Sequence, residues 1–328
     1  MRNKDPQFDP EWRDDVFDPA ALEIPLVFPS DSARNDGIWV QSRCEFEETV
    51  FGKVHRHASP RVIKAIVKKS DLAAYHTLSD SAGNVTPKSH PVYDVIFPPK
   101  AWMSDSVEER CTTLAAARLA RGNVLVGGLG LAVYPQFVLH LQRPFHSMTL
   151  VEREPRVIEL IRQAWIKSLS REEASRIRMI EGTIESYLQE TAELFDTIYL
   201  DTWEDGDPRF LPYANYLVQL ALPKCAADGQ IQCWSYALMM DTFVRDAIMY
   251  AEQGFPLQNF YLDPALEKLA AWLQSNPGTP LEAVAPIARD MALTTAQSLE
   301  NYDRNRCFTP YADSMIEAFR NRARFRKS

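Results

Sequence analysis

Asn123-Val-Leu-Val-Gly-Gly-Leu-Gly-Leu-Ala-Val-Tyr134 is the stretch whose reading decides the fold. A short apolar run bounded by glycines reads as a buried strand. Gly127, Gly128 and Gly130 then make a tight turn, and the apolar residues from Leu131 onward open a helix. Twenty-two residues after Gly130, Met148-Thr-Leu-Val-Glu152 reads as a second strand ending in an acid. Glycine lets a backbone approach a ligand closely. An acid at the tip of the next strand can accept hydrogen bonds from ribose hydroxyls. Strand, bare turn, helix, strand and acid together predict a site for an adenosine-containing cofactor. Val133 stands where a dinucleotide fingerprint would have its third glycine, so a nicotinamide dinucleotide is the weaker reading.

Outward from this unit the pattern repeats. Strands are predicted at Val124–Gly127, Met148–Glu152, Ile177–Ile180, Thr197–Asp201 and Gln230–Trp234. Helices are predicted at Leu131–Leu141, Pro155–Leu169, Ile184–Thr191 and Ala214–Cys225. Pro155 suits a first helical turn, where its missing N–H has no partner to lose. A further helix starts near Ser104-Asp105 and ends near Gly122. Strictly alternating strands and helices imply an α/β fold, a doubly wound, mostly parallel sheet with helices on both faces.

The flanks read differently. Residues 1–37 are rich in proline (Pro6, Pro10, Pro19, Pro25, Pro29) and acids, and form an extended segment. Residues 38–103 partly alternate apolar and polar side chains, as strands do, and form a small β-rich N-terminal domain. Residues 104–255 carry the cofactor domain. Residues 256–328 form a helical C-terminal appendage with a basic end from Arg320 to Ser328, read as a solvated helix end.

With 36 basic and 44 acidic residues the net charge is −8, which argues against a general nucleic-acid binder. The five cysteines, Cys44, Cys111, Cys225, Cys233 and Cys307, include no Cys-x-x-Cys pair, so neither a disulfide frame nor a zinc site is expected. His55 and His57 lack a third ligand nearby. There is no apolar run long enough to span a membrane and no apolar signal core. A cytoplasmic protein acting on a small molecule is expected, with no metal.

In an open α/β sheet, ligands bind outside the carboxyl ends of the strands. Those ends carry Gly127, Gly128, Gly130, Glu152, Glu181, Thr183 and Asp201, the candidate cofactor residues. The loop Asp201-Thr-Trp-Glu-Asp-Gly-Asp207 adds Glu204 and Trp203. Asp201 and Glu204 are the candidate catalytic acids, able to hold a cationic amine or take its proton. Trp203, Tyr75, Trp234 and Tyr236 are candidates for the substrate side.

Val124–Gly130, Thr149-Leu-Val-Glu-Arg-Glu-Pro and Phe195-Asp-Thr-Ile-Tyr-Leu-Asp201 together resemble class I S-adenosylmethionine-dependent methyltransferases, nearest to their spermidine-synthase-like branch. The resemblance covers about residues 103–236. It implies a Rossmann-like core and S-adenosylmethionine as cofactor, with Gly128 and Gly130 beside its methionine part and Glu152 on its ribose. Thr183 stands where the family usually has an aspartate for the adenine amine. In the polyamine synthases the loop after strand four supplies two acids. Asp201 matches the first and Glu204 falls at the second. Leu129-Gly130-Leu131 lacks the acid those enzymes carry in the glycine turn. Methyl transfer to a small, amine-containing acceptor is therefore the expected activity. The alternatives are aminopropyl or aminocarboxypropyl transfer or internal cyclisation of the cofactor, each releasing methylthioadenosine, and an inactive binding module.

Overall fold

The computed structural model describes residues 7–14, 18–29, 34–35, 38–44, 74–80, 103–105, 107–203, 206–253 and 264–298. These belong to two compact units. The first takes the described residues of 1–204 and 220–234, the second those of 205–219 and 235–328.

The centre of the first unit is a sheet of five parallel strands: β5 (Gly122–Gly127), β6 (Phe145–Glu152), β7 (Ile177–Glu181), β8 (Phe195–Leu200) and β9 (Cys225–Cys233). Their spatial order is β7-β6-β5-β8-β9. The chain therefore starts at the middle strand, winds outward to β7, returns, and winds outward the other way to β9. With right-handed crossovers, the reversal puts the connecting helices on opposite faces. This is the α/β, doubly wound parallel sheet that the alternation predicts. Each predicted strand is present, with ends that differ by a few residues: β9 begins at Cys225, and Asp201 and Trp234 lie just past their strands.

The strands are β-branched and aliphatic runs because both of their faces are covered. Val124, Leu125, Leu150, Val151, Ile198 and Leu200 are at most 1% exposed. Helix α1 (Val107–Ala117) precedes β5, and α2 (Val133–His140) follows it. The two helices pack together and bury Leu114, Phe137 and Val138. Helix α3 (Pro155–Ala164) starts on Glu154, whose carboxylate accepts the Arg156 N–H, with Pro155 in its first turn as expected. It stops before the predicted end at Leu169; Ile166–Ser168 continues as a 3-10 turn, and Leu169 is half-buried. A short α4 (Arg171–Ser175), which its sequence did not announce, is held by a capping box between Ser170 and Glu173. Helix α5 (Ile184–Glu190) is capped by Thr183.

A second, antiparallel sheet of order β1-β2-β3-β4 is formed by β1 (Arg34–Asn35), β2 (Ile38–Cys44), β3 (Ala74–Asp80) and β4 (Met103–Ser104). β2 and β3 fall in the segment that reads as β-rich. The N-terminal segment has more structure than its prolines suggest. Pro19–Leu22 forms a 3-10 turn capped by Asp18 and packs on α1. Phe8 bridges Ile231 in parallel, so residues 7 and 8 extend the large sheet past its edge strand β9.

The second unit is helical. It contains most of α6 (Leu211–Ala221), with α7 (Tyr236–Gln253), α8 (Pro264–Ser275) and α9 (Leu281–Thr294); α7 packs against both α8 and α9. The last carbonyls of a helix have no intrahelical partner. Here Asn215 takes two of them: its Nδ2 donates to the carbonyls of Ala292 (2.7 Å) and Thr295 (2.8 Å), while its Oδ1 accepts the Tyr236 hydroxyl (2.6 Å). Among the described residues, no helix is long and apolar enough to cross a membrane.

Asn215→Ala removes the acceptor of the Tyr236 hydroxyl and a donor to each of two carbonyls in a mostly buried site. Each buried unsatisfied group costs roughly 1–3 kcal/mol. A loss of at least about 2 kcal/mol in denaturant unfolding is expected. A loss below half of that would show that the network does not hold α9.

Candidate functional site

The topological switch lies between β5 and β8, where the two outward windings start. The registers level the strand tips there. Gly127 lies opposite Val151 on one side and Leu200 on the other, and Glu152 lies opposite Glu181. Backbone bonds carry the ladder into the loops. Gly128 N–H donates to Val151 O (3.0 Å), Asp201 N–H to Gly127 O (2.9 Å), Gly182 N–H to Glu152 O (2.9 Å) and Trp234 N–H to Leu200 O (3.0 Å).

The turn after β5 is shaped by close approaches. Gly128 has φ +91°, and a Cβ there would strike the Asp201 carbonyl. Gly130 has φ +48°, and a Cβ there would strike the Met103 sulfur. Both positions therefore require glycine, for conformation and for space. Ala132, with φ 60°, adopts the same left-handed region without being glycine, and α2 starts directly after it. Such residues cost about 1–3 kcal/mol and cluster at functional sites.

Glu152 ends β6 and reaches across to this turn. Its Oε2 accepts the Leu129 N–H at 3.0 Å, and its Oε1 accepts the Glu154 N–H at 2.9 Å. The acid is thus fixed by the backbone on both sides. Each carboxylate oxygen still has a lone pair for a further donor. One step along the turn, Leu131 N–H donates to the Met103 thioether at 3.1 Å. Met103 sits in β4, and its side chain lies on the glycine turn. Nothing in its sequence context marks it.

The other candidates fall as follows. Glu181 is exposed at the end of β7. The Thr183 hydroxyl is engaged as the cap of α5, accepting the Ser186 N–H (3.2 Å). Next to it, Ile184 is buried against Gly127; a Cβ on that glycine would stand 2.7 Å from Ile184 Cγ1. Trp203 is 6% exposed. Trp234 donates its indole N–H to Thr112 Oγ1 at 3.1 Å, a bond into α1. Tyr236 belongs to the second unit, where its hydroxyl holds Asn215. Tyr75 lies in β3, opposite Arg43. Glu204, His55 and His57 lie outside the described residues. Among the described residues, no three His, Cys, Asp or Glu side chains are grouped to hold a metal.

Asp201 is the most perturbed acid of this region. It follows β8 directly, and its Oδ2 accepts the Tyr199 hydroxyl at 3.5 Å. Loss of water around the carboxyl, then the neighbouring negative charge of Asp14, push it up to about 7; the Tyr199 hydrogen bond opposes them. The Tyr199 hydroxyl is pushed well above its usual range by burial and by Asp201. Tyr199 stacks on Tyr134 of α2, with ring centroids 4.0 Å apart and planes 3° apart. The sequence reading found Asp201 from its place past a strand. It missed Asp14, Tyr134 and Met103.

No protein-family model matches the chain, and no curated protein matches its sequence. Solved structures match parts of it. The SAH-bound methyltransferase PaMTH1 of Podospora anserina is 20% identical, covering 52% of this chain and 71% of its own, with a TM-score of 0.31. MNMC2 from Aquifex aeolicus is 10% identical over 56% of this chain and 72% of its own, with a TM-score of 0.30. Human methyltransferase-like protein 13, in complex with SAH, is 18% identical over 40% of this chain and 66% of its own, with a TM-score of 0.27. The fold stands on the strand order and registers, independently of these matches.

The raised Asp201 has a consequence for stability. Below about pH 4, folded and unfolded chains both hold the Asp201 proton. Between about pH 4 and about pH 7 only the folded chain holds it. The unfolded state then binds fewer protons, and this group's contribution to stability falls as pH rises through that window. Asp201→Asn cannot ionise. Its melting temperature relative to wild type should climb from pH 4 to pH 7 and level off above. A difference that is flat across this range would contradict the assignment.

Proposed function

We propose that this chain is an S-adenosylmethionine-dependent transferase that moves a methyl group to a small, amine-containing acceptor. The observation that carries the reading is the bond from Leu129 N–H to Glu152. It ties an acid at one strand tip to a bare turn at the next, at the switch point of the sheet, with Asp201 alongside.

The residues present fit the cofactor. Gly128 and Gly130 leave the turn without side chains. Glu152 is oriented by two backbone donors and keeps acceptor capacity for ribose hydroxyls. Ile184, buried against Gly127, offers an apolar wall for a base. Met103 stands against the fit only through its side chain, which has rotatable bonds and can swing off the turn.

When bound, the sulfonium supplies an electrophilic carbon. The chain's part is to position the acceptor in line with it and exclude water. Asp201 follows β8 at the switch point and has a carboxyl whose affinity for a proton is matched to neutral pH, which suits a general base. As a carboxylate it orients an ammonium group; on accepting a proton it frees the amine lone pair for attack. Glu204 and Trp203 follow it in the same loop and complete the acceptor side in this reading. Product analysis separates methyl transfer, which leaves S-adenosylhomocysteine, from aminopropyl transfer, aminocarboxypropyl transfer or cyclisation, which leave methylthioadenosine.

Titration calorimetry with S-adenosylhomocysteine is the test. Charge-assisted hydrogen bonds contribute about 1.5–3 kcal/mol each. Glu152→Gln keeps an acceptor for Leu129 N–H but loses the charge, and should weaken binding roughly 10- to 150-fold. Wild-type chain that shows no heat at millimolar ligand, or Glu152→Gln that binds as tightly as wild type, would sink the proposal. The same titration on Met103→Ala should show several-fold tighter binding, because the turn no longer has to be cleared first; weaker binding would mean that Met103 is part of the cradle.

A further inference from the structure

Two stacked tyrosines connect the glycine turn to Asp201. Side chains two apart on a strand share a face, so Tyr199 of β8 and Asp201 just past it point the same way. The Tyr199 hydroxyl donates to Asp201 Oδ2 at 3.5 Å, and the Asp201 N–H donates to Gly127 O at 2.9 Å. The hydroxyl bond is long, so its geometry depends on what holds the Tyr199 ring. That ring lies flat on Tyr134, with centroids 4.0 Å apart and planes 3° apart, and both residues are buried. Gln232 stands opposite Tyr199 on β9, also buried, and its Nε2 donates to Ala116 O of α1 at 3.4 Å. In a close-packed interior a ring set between such neighbours has no free path to another rotamer.

Tyr134 is placed by the turn itself. It lies four residues after Gly130, in the first turn of α2, which starts directly after Ala132 at φ 60°. One residue pair further along, Gln136 fastens α2 from outside: its Oε1 accepts the Val27 N–H at 2.7 Å and its Nε2 donates to Val27 O at 3.0 Å. Among the described residues the buried Tyr134 hydroxyl has no hydrogen-bond partner, so its ring is the part of the side chain that acts here. Contacts therefore run from the turn to Tyr134, from Tyr134 to Tyr199, and from Tyr199 to Asp201. The charged groups that bear on this place are acids: Asp14 on Asp201 and Tyr199, and Glu109 of α1 on Tyr199. Against them, a hydroxyl that donates to the carboxylate favours its charged form.

We propose that Tyr199 is a positioning residue for Asp201: its hydroxyl, kept in place by the stack on Tyr134, takes Oδ2 of the carboxyl and leaves Oδ1 to meet the acceptor. The inference rests on the reading of Asp201 as the base of the proposed transferase, but the chain of contacts from Tyr134 to Asp201 requires no cofactor. In the transfer step Oδ1 accepts one proton from the acceptor's nitrogen and returns it to water after product leaves. The Tyr199 proton stays on its own oxygen throughout. Because Tyr134 rides on the turn that would hold the cofactor, base and cofactor are set in register by one short run of residues.

The test is the carbon-13 NMR titration of the Asp201 carboxyl carbon in the full chain, its signal assigned by its loss in Asp201→Asn. Tyr199→Phe keeps the ring and the stack but removes the donor to the carboxylate, and should raise the Asp201 midpoint by at least about half a pH unit. Tyr134→Leu removes the stacked ring and should raise it too, by less. Tyr134→Phe keeps the ring and should leave the midpoint in place. A midpoint that stays or falls in Tyr199→Phe overturns the proposal, as does a rise in Tyr134→Phe equal to that in Tyr199→Phe. If Tyr134→Leu does not fold, the two phenylalanine variants, which preserve shape, still decide. A purely structural Tyr199 would change stability and leave the midpoint alone. Failure to bind S-adenosylhomocysteine would remove the transferase reading and leave this titration intact, so the two outcomes are distinguishable.

Discussion

Leu129 N–H donating to the carboxylate of Glu152 is the contact on which the site depends. It joins the turn after the central strand to the tip of its neighbour. For the bond to form, Gly128 and Gly130 must both take left-handed conformations, and both must be bare, because Asp201 and Met103 press on them. The loop after β8 is then placed by the same turn: Asp201 donates its N–H to Gly127, and its carbonyl rests on Gly128. One small turn thus fixes the acid that would hold a ribose and the acid that would meet an acceptor.

The two acids have opposite environments, and this separates their roles. Glu152 accepts two backbone N–H groups, which hold its carboxylate in one orientation. Asp201 has poor hydration, a neighbouring acid and one long hydrogen bond from Tyr199. Burial of this kind makes a carboxyl hold its proton toward neutral pH, which is why the proposed function gives binding to Glu152 and proton exchange to Asp201. That division follows from where each sits. Glu152 lies over a turn rich in donors. Asp201 lies at the Tyr199 hydroxyl, beside the Tyr199–Tyr134 stack.

Much of the fold could be read from residues because buried parallel strands are short aliphatic runs. Val124–Gly127 and Met148–Glu152 have few alternatives once the glycines and Glu152 bound them. The helix starts were legible where a proline marks them, as at Pro155; the Thr183 cap of α5 was read instead as a cofactor residue. Three features were not legible. Residues 7 and 8 join the sheet edge through a single bridge, too short for any periodicity to show, so Asp14 read as one more acid in a loop. Met103 reaches the turn from β4, far along the chain, and a methionine has no pattern that announces such a contact. Tyr134 and Tyr199 read as parts of apolar runs, and their stacking depends on how α2 settles on β8. Trp234 and Tyr236 were found as polar aromatics past a strand. Their polar atoms are engaged with Thr112 and Asn215, which only tertiary packing reveals.

A crystal structure of the chain grown with S-adenosylhomocysteine examines the central claim most directly. The account predicts the ribose hydroxyls on the Glu152 carboxylate, the amino-acid arm along Gly128–Gly130, and the Met103 side chain displaced from Leu131 N–H. Ligand bound elsewhere, or a soaked crystal in which Met103 still covers the turn and Glu152 touches only Leu129 and Glu154, would contradict it.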